Sequence, residues 1–444
     1  MQDMDKAKPG VFHWKFPPGY ETRSLNVLNT ALDSIPLYRS WKSLDPGPRY
    51  SADVRFSAMP ALTKKDIREH FPNVLPPGRD MADGIARGEV ELVQTSGTTD
   101  DKITNLWNQK WWDASERASW QLNRSLTEFA TGDHPEAILV NPKNVGIISD
   151  DVDLPMQKRR LARYLYLNEK TDPLSWSAGI MDRMVAELNS YQPSVLEANP
   201  SMLARLCRYI SRSGKQVYQP GVIVFTYEYP THFHRRQIAR VFDVPMASSY
   251  GTTEVGYVFV ECEHVRLHQN GEFCRVDFQP FRPEHGGPLL GRILVTPFDN
   301  PWNYMVRFNT GDIVKLEQSG PCPCGRNSGM VLSSIQGRAV NLTLTCDGHL
   351  VTLHKLDDCV SKLEGIDEYK LVQTAPKNYE MHISAAQAAT SGLRRDVTRT
   401  LLDLYGSESV ISVLFEPSIA PEASGKYLIS RAMFPIEVEA YLDK

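Results

Sequence analysis

Four short segments hold the side chains of this chain best suited to chemistry: Thr95-Ser-Gly-Thr-Thr99, Tyr250-Gly-Thr-Thr-Glu254, Arg307-Phe-Asn-Thr-Gly-Asp312 and Ser424-Gly-Lys426. A loop of glycine and short hydroxyls offers N–H and O–H donors to anionic oxygens without bulk, which suits a polyphosphate. Thr95, Ser96, Gly97, Thr98 and Thr99 have that character and follow the strand-like Val90-Glu-Leu-Val93. In the second segment Tyr250 can stack on a base, and the hydroxyls of Thr252 and Thr253 beside Gly251 can reach a carboxylate or phosphate. Glu254 can carry Mg²⁺ through hard oxygen ligands. Asp312, at a turn, can accept from both hydroxyls of a ribose. Each segment alone also reads as an ordinary turn, and Lys426 alone as a solvated charge; the joint occurrence in this order is what carries weight.

A second constellation is metal-like. Cys262 and His268 follow the Glu254 segment, and Cys322 and Cys324 follow Asp312. Three thiolates and one imidazole make a closed tetrahedral set that suits a structural Zn²⁺, with His264 as a competing ligand and buried free thiols as the alternative. Glu254 lies eight residues before Cys262 and Asp312 ten before Cys322, so one ion would staple the two loops together.

These residues need a large scaffold, and the chain has one. Its 444 residues, 41% apolar and 23% charged, suffice for two or three domains with cores of ordinary soluble composition. A net charge of −4 with Lys and Arg dispersed gives no footprint for nucleic acid or an anionic membrane. The polar, Pro-rich start lacks a secretory pattern, and no run of 18 apolar residues occurs, so a cytoplasmic location is expected. Seven cysteines, an odd and mostly scattered set, fit reduced thiols there.

Residues 1 to 85 read as an entry segment wrapped on the body, with one helix at Lys64 to His70. From 86 to 338, apolar β-branched runs such as Ala137-Ile-Leu-Val-Asn141 and Val222-Ile-Val-Phe-Thr226 alternate with helical patterns, which predicts an α/β body. One helix starts at Pro200 behind an Asn199 cap, sets Leu203, Leu206, Cys207 and Ile210 on one face, and stops at Gly214. Another is expected over Thr231 to Phe242. Beyond Arg338 the pattern predicts a helix over Leu353 to Leu363, strands near Tyr369 to Gln373 and Tyr379 to Ser384, a helix over Leu393 to Tyr405 and a strand over Val410 to Phe415. That is a separate α+β unit of about 100 residues.

Taken together the four segments resemble the adenylate-forming enzymes, and in particular their phenylacetate-CoA ligase branch. The resemblance spans roughly residues 50 to 435 and is carried also by the Pro200-Ser201 helix start, Trp302 to Asp312, Cys322-Pro-Cys-Gly-Arg326, Gly337-Arg338 and Pro421 to Lys426. It implies an α/β fold with a large N-terminal adenylate-forming body (1–338) and a small mobile α+β C-terminal domain (341–444) carrying a catalytic lysine. It also implies ATP, Mg²⁺ and CoA as reactants and cofactor: an acyl-adenylate forms from a carboxylic acid, an aromatic one by family, and the acyl group then passes to a thiol. By position in the motifs, Thr253 would contact the acyl phosphate, Glu254 the Mg²⁺, Tyr250 the adenine and Asp312 the ribose. Arg338 would hold the nucleotide near the hinge, and Lys426 the carboxylate and α-phosphate oxygens. The cysteine element matches a metal-binding element found in some members.

The chain departs from the family at three places: the phosphate loop continues Thr99-Asp100-Asp101-Lys102, the hinge reads Ala339-Val-Asn341, and Thr226-Tyr-Glu-Tyr229 replaces a glycine-led loop. Two further readings stay open. An amine, a carrier protein or another protein could be the acceptor in place of CoA, or the chain could bind a nucleotide without turnover. Trp107, Trp111, Trp112 and Tyr227 suggest an aromatic-lined cavity, with core as the alternative, and a homodimer is compatible with the chain.

Overall fold

The computed structural model describes residues 14–76, 78–94, 103–385, 391–422 and 426–443. Thr95, Ser96, Gly97, Thr98 and Thr99, with Asp100, Asp101 and Lys102, lie outside the described residues, as do Ser424 and Gly425.

One twelve-stranded sheet dominates. Its first half comprises β1 (Glu136–Leu139), β2 (Arg160–Leu161), β3 (Tyr164–Tyr166), β4 (Val195–Ala198), β5 (Val222–Phe225) and β6 (Met246–Thr252). The spatial order is 2-3-1-4-5-6, and every pair but β2 with β3 is parallel. All four residues of β1, β4 and β5 are buried, as parallel strands covered on both faces must be. The second half extends from β6 through β7 (Gly256–Glu261), β8 (Leu267–Gln269), β12 (Val331–Arg338), β11 (Phe308–Leu316), β10 (Leu290–Pro297) and β9 (Cys274–Pro280), antiparallel throughout. β6 is therefore the strand at which the sheet changes character.

The covering helices include α1 (Gln109–Trp120), α2 (Ala178–Tyr191), α3 (Pro200–Ser213) and α4 (His232–Ile238). α3 is built as its sequence dictates: the Asn199 side chain accepts from the N–H groups of Ser201 and Met202, and Gly214 closes the helix at φ 66°. Leu203, Leu206, Cys207 and Ile210 are all buried, each worth about 1.5–3 kcal/mol for the leucines and isoleucine. α4 is shorter than expected. After Ile238 the backbone tightens through i→i+3 bonds at Arg240 and Val241, which brings buried Phe242 to the core and aims the chain into β6.

The N-terminal segment is more than a wrapping. Leu28, Ala31, Ile35, Tyr38, Phe56, Leu62 and Ile67 are wholly buried in the core beneath the antiparallel half, and Leu62 exchanges backbone hydrogen bonds with Arg307 and Asn309.

Beyond residue 338 lies a second, four-stranded sheet of β13 (Ile366–Ala375), β14 (Asn378–Ala385), β15 (Val410–Phe415) and β16 (Ser430–Ala432), in the order 15-14-13-16. It packs with α5 (Leu353–Val360) and α6 (Ser391–Tyr405) around Leu356, Leu371, Met381, Val397 and Leu401. α5 ends three residues before the expected Leu363, because Leu363 turns back to bond the carbonyl of Val360. No helix among the described residues is long and apolar enough to cross a membrane.

Candidate active site

In open α/β sheets, ligands bind beyond the carboxyl ends of the parallel strands. Asn199 follows β4 there, Thr226 to Glu228 follow β5, and Thr253 and Glu254 follow β6.

The Tyr250 to Glu254 segment forms the end of β6 and the tight turn into β7. Gly251 is required by close approach: a Cβ there would lie 2.4 Å from the carbonyl oxygen of Gly256. Asn105 fixes the turn by donating to the Thr253 carbonyl at 2.9 Å and is itself held by the Asn303 amide at 3.0 Å. Glu254 is buried. Among the described residues the buried Thr252 hydroxyl has no hydrogen-bond partner.

Tyr250 and Asp312, 62 residues apart, meet directly. The phenol donates to Asp312 Oδ2 at 2.7 Å and lies 3.1 Å from the Thr310 hydroxyl. Burial and the neighbouring carboxylate push the Tyr250 phenol well up. Asp312 on β11 stands in register with Arg338 on β12; the guanidinium comes within 3.6 Å of the carboxylate and donates to the Thr310 carbonyl at 3.1 Å. The Gly311 φ of 78° allows this bend.

Lys426 belongs to the second sheet's lobe and feels the charges of the same groups. Burial and the Arg338 guanidinium pull its ammonium below the ordinary lysine value, while Glu228 and Asp312 pull it back up. The loop carrying it is fastened by Glu228, which accepts from the Tyr427 N–H at 2.9 Å and from the Ser201 hydroxyl at 2.5 Å. Burial raises the Glu228 carboxyl above its usual range. Asn105 escaped sequence reasoning, and Ser201 and Glu228 were read there only as parts of the Pro200-Ser201 helix start and the Thr226 to Tyr229 loop. A carboxylate three residues past an apolar strand looks like a turn residue, and nothing local marks it as the anchor of a segment 199 residues away. Thr226 to Tyr229 keeps a left-handed residue without glycine: Tyr227 has φ 69°, a costly conformation for an aromatic.

Just after β12, the Asn341 side chain accepts from the Arg338 N–H at 3.2 Å and donates to the Ser430 carbonyl at 3.0 Å, and the Asn341 carbonyl accepts from the Ser430 hydroxyl at 2.6 Å. More links cross between α3 and the small lobe. Arg212 pairs with Asp367 at 2.6 Å, and Arg208 donates to the Asp367 carbonyl at 2.9 Å and pairs with Glu368.

The cysteine–histidine set also comes together. Cys262 leaves β7, His268 sits on β8, and Cys322 and Cys324 lie on the loop between β11 and β12. Cys262 Sγ is 3.6 Å from Cys322 Sγ, Cys324 Sγ is 3.4 Å from His268 Nε2, and the four donor atoms lie within 4.8 Å of one another. His264 contributes its backbone N–H to Cys262, leaving His268 as the imidazole of the cluster. Burial pushes the Cys262 thiol up to about 12. Burial acts the same way on Cys324, but the Arg326 N–H and neighbouring groups outweigh it and lower that thiol. Burial, with Arg326, lowers His268 to about 4, so its ring is neutral and open to a metal.

The four aromatic residues separate. Trp111 is core, with its indole N–H donated to the Phe298 carbonyl at 2.9 Å. Trp107 and Trp112 pack tilted at 38° with centroids 4.1 Å apart, and Trp112 continues to Tyr257 at 4.8 Å. Tyr257 donates to Glu116 at 2.6 Å; burial, then Glu136, pushes the Glu116 carboxyl up to about 7. Tyr227 stays 39% exposed beside the Glu228 loop.

No family model matches the chain. Among curated proteins it is 24% identical over 318 residues to the phenylacetate-coenzyme A ligase of Thermus thermophilus, covering 69% of this chain and 66% of that protein. It is 20% identical over 311 residues to the protein CapK of Staphylococcus aureus, covering 66% of this chain and 63% of that one. The chain thus spans just under two thirds of the length of both relatives. Among solved structures, 2-hydroxyisobutyryl-CoA ligase in its postadenylation state, with R3-HIB-AMP, superposes with a TM-score of 0.67 at 14% identity, covering 98% of this chain and 94% of that one. The same enzyme's open form gives a TM-score of 0.55 and its thioesterification state 0.54. The chain thus shares the fold of 2-hydroxyisobutyryl-CoA ligase and is similar in sequence to a phenylacetate-coenzyme A ligase.

Proposed function

We propose that this protein activates a carboxylic acid with ATP as an acyl-adenylate and passes the acyl group to CoA. The observation that carries the reading is the meeting of Tyr250, Asp312 and Arg338 beside a loop from a separate lobe, the loop that holds Lys426 and is fastened by the Tyr427 N–H to Glu228. In the first step a carboxylate oxygen attacks the α-phosphorus and pyrophosphate leaves. Lys426 neutralises the charge that builds on the oxygens around that phosphorus, where a preorganised cation in a partly water-excluded site is most effective. Asp312 takes the ribose hydroxyls and Tyr250 presents its ring to the adenine. Thr253 donates to the acyl phosphate, and Arg338 closes the site from the hinge. Thr95 to Thr99, with Thr252 and Gly251, take the pyrophosphate side by sequence. Mg²⁺, held through Glu254, would supply positive charge to the phosphate oxygens.

In the second step the small domain, residues 341–444, turns about the hinge after Arg338 and withdraws Lys426. The CoA thiol then attacks the acyl carbonyl, and AMP leaves. The three thiols and one imidazole fit Zn²⁺ as a donor set; with four protein ligands no position is open, so its part is to staple the loops and not to react. The described cysteines are all free thiols, which supports a cytoplasmic setting.

The test is acid-dependent ATP–pyrophosphate exchange over a panel of aryl and aliphatic acids, followed by product analysis with CoA. Exchange with one acid that collapses in Glu254→Gln and Lys426→Ala establishes adenylation. ATP binding without exchange for any acid favours a nucleotide-binding protein without turnover.

A further inference from the structure

A second metal-like cluster lies between the two lobes, away from the cysteines. His232 opens α4 in the large body, while His354 and Asp358, spaced i and i+4, share one face of α5 in the small lobe. His232 Nε2 is 3.1 Å from Asp358 Oδ1, His354 Nε2 is 3.6 Å from Asp358 Oδ2, and the imidazole centroids are 5.3 Å apart. One donor atom from each lies within 4.8 Å of the others. Tetrahedral ligands at about 2.1 Å from an ion stand roughly 3.4 Å apart, so a small rotation of the half-exposed His232 closes the set.

The surroundings orient these donors. The Tyr229 hydroxyl bonds His354 Nδ1 and so aims Nε2 at Asp358, the arrangement by which metal-binding imidazoles are held from behind. Asp357 takes no part, because its oxygens accept from the His232 N–H at 2.6 Å and the Tyr369 hydroxyl at 2.8 Å. The first of those bonds ties α4 to α5, and the second ties α5 to β13. Two imidazoles and one carboxylate suit Zn²⁺, Co²⁺ or Ni²⁺ over Mg²⁺, and leave one coordination position for water.

We propose that His232, His354 and Asp358 form a divalent transition-metal site that bridges the lobes and exists only in the arrangement seen here. A bound ion clamps the lobes with Lys426 inserted; this consequence rests on the reading that the small domain turns between the two half-reactions. The ion therefore restrains acyl transfer to the thiol and leaves adenylation intact.

The experiment is Zn²⁺ binding by equilibrium dialysis on the full chain, with a fluorophore pair across the lobes. The wild type binds two ions, His232→Ala and His354→Gln each bind one, and Cys324→Ser, which disrupts the other cluster, keeps the ion that His354→Gln loses. Co²⁺ separates the two sites, since thiolate charge-transfer bands belong only to the cysteine cluster. Unchanged stoichiometry in both histidine variants with native melting curves, or an ion in the wild type that only Cys324→Ser loses, overturns the site. For the clamp, Zn²⁺ should slow the CoA-dependent fluorescence change at least fivefold in the wild type and not in His232→Ala; equal rates overturn it. If CoA produces no fluorescence change even without metal, the domain-turning reading and the clamp both fail, and the stoichiometry still judges the site.

Discussion

The backbone N–H of Tyr427 donates to Glu228 Oε1 at 2.9 Å, joining residues 199 apart in the chain. This bond fastens the loop that carries the neighbouring Lys426, whose ammonium feels the charges of Arg338, Glu228 and Asp312. Glu228→Ala should therefore slow adenylation about tenfold through misplacement of Lys426, while Lys426→Ala should cost about 10²–10³-fold, the scale of losing one preorganised electrostatic group. Pyrophosphate exchange measures both. Transfer from a supplied acyl-adenylate to CoA should survive in both variants, and its parallel loss would sink the assignment of Lys426 to the first step.

Gly251→Ala tests the turn that carries Thr253 and Glu254. The added Cβ meets a backbone oxygen that no rotamer change can move, so the β6–β7 turn must open. Stability should fall by about 2–4 kcal/mol, and ATP affinity should fall with it. Denaturant melts and nucleotide titration check this; an unchanged midpoint contradicts the geometry.

Glu116 gives a pH dependence with a definite sign. Its carboxyl titrates near 7 in the folded protein because burial, then Glu136, disfavours the charge. The folded state therefore holds a proton that the unfolded state has released above about pH 4.3. Stability from this group is present at low pH and is lost as pH rises toward and through 7. Glu116→Gln should melt higher than wild type at pH 8, with the gap closing toward pH 5. A constant gap across that range would show that the charge plays no part.

Removing metal from the Cys262–His268–Cys322–Cys324 cluster should weaken nucleotide binding. The cluster joins the β7–β8 turn to the β11–β12 loop, and β7 and β11 begin next to Glu254 and carry Asp312. Chelation, or Cys322→Ser, should lower ATP affinity about 10–100-fold and the melting temperature with it. Calorimetry on a protein proven metal-free checks it, and unchanged affinity removes the staple.

Asp357→Ala leaves the Tyr369 hydroxyl and the His232 N–H without their acceptor at the lobe boundary. The expected cost is about 1–3 kcal/mol, seen as a lower melting temperature and faster proteolysis between the lobes. Asp357→Asn, which keeps one acceptor oxygen, should recover part of it.

What the sequence determined by itself was local. The Asn199 cap, Pro200 and Gly214 bound α3 to the residue, because capping acts over three or four positions. The strand Val410–Phe415 was legible for the same reason: its apolar, β-branched run stands between a helix and a turn. The Tyr250, Asp312 and Lys426 segments were legible as motifs only through their joint occurrence in this order, and the four metal-like donors through their shared residue types. The extents of α4 and α5 were not, because tightened turns ended them where the chain had to enter the next element.

Tertiary structure decided everything that depends on distant segments meeting. It put Tyr250 on Asp312, selected His268 over His264, turned Trp111 into core, and made Glu228 the anchor of the Lys426 loop. It also brought His232 to His354 and Asp358 across the lobe boundary. The physical reason is that such pairings are set by sheet order and lobe packing, in which a carboxylate's partner is whatever the fold delivers, whereas caps, turns and strand alternation are set by neighbours within one or two turns of chain.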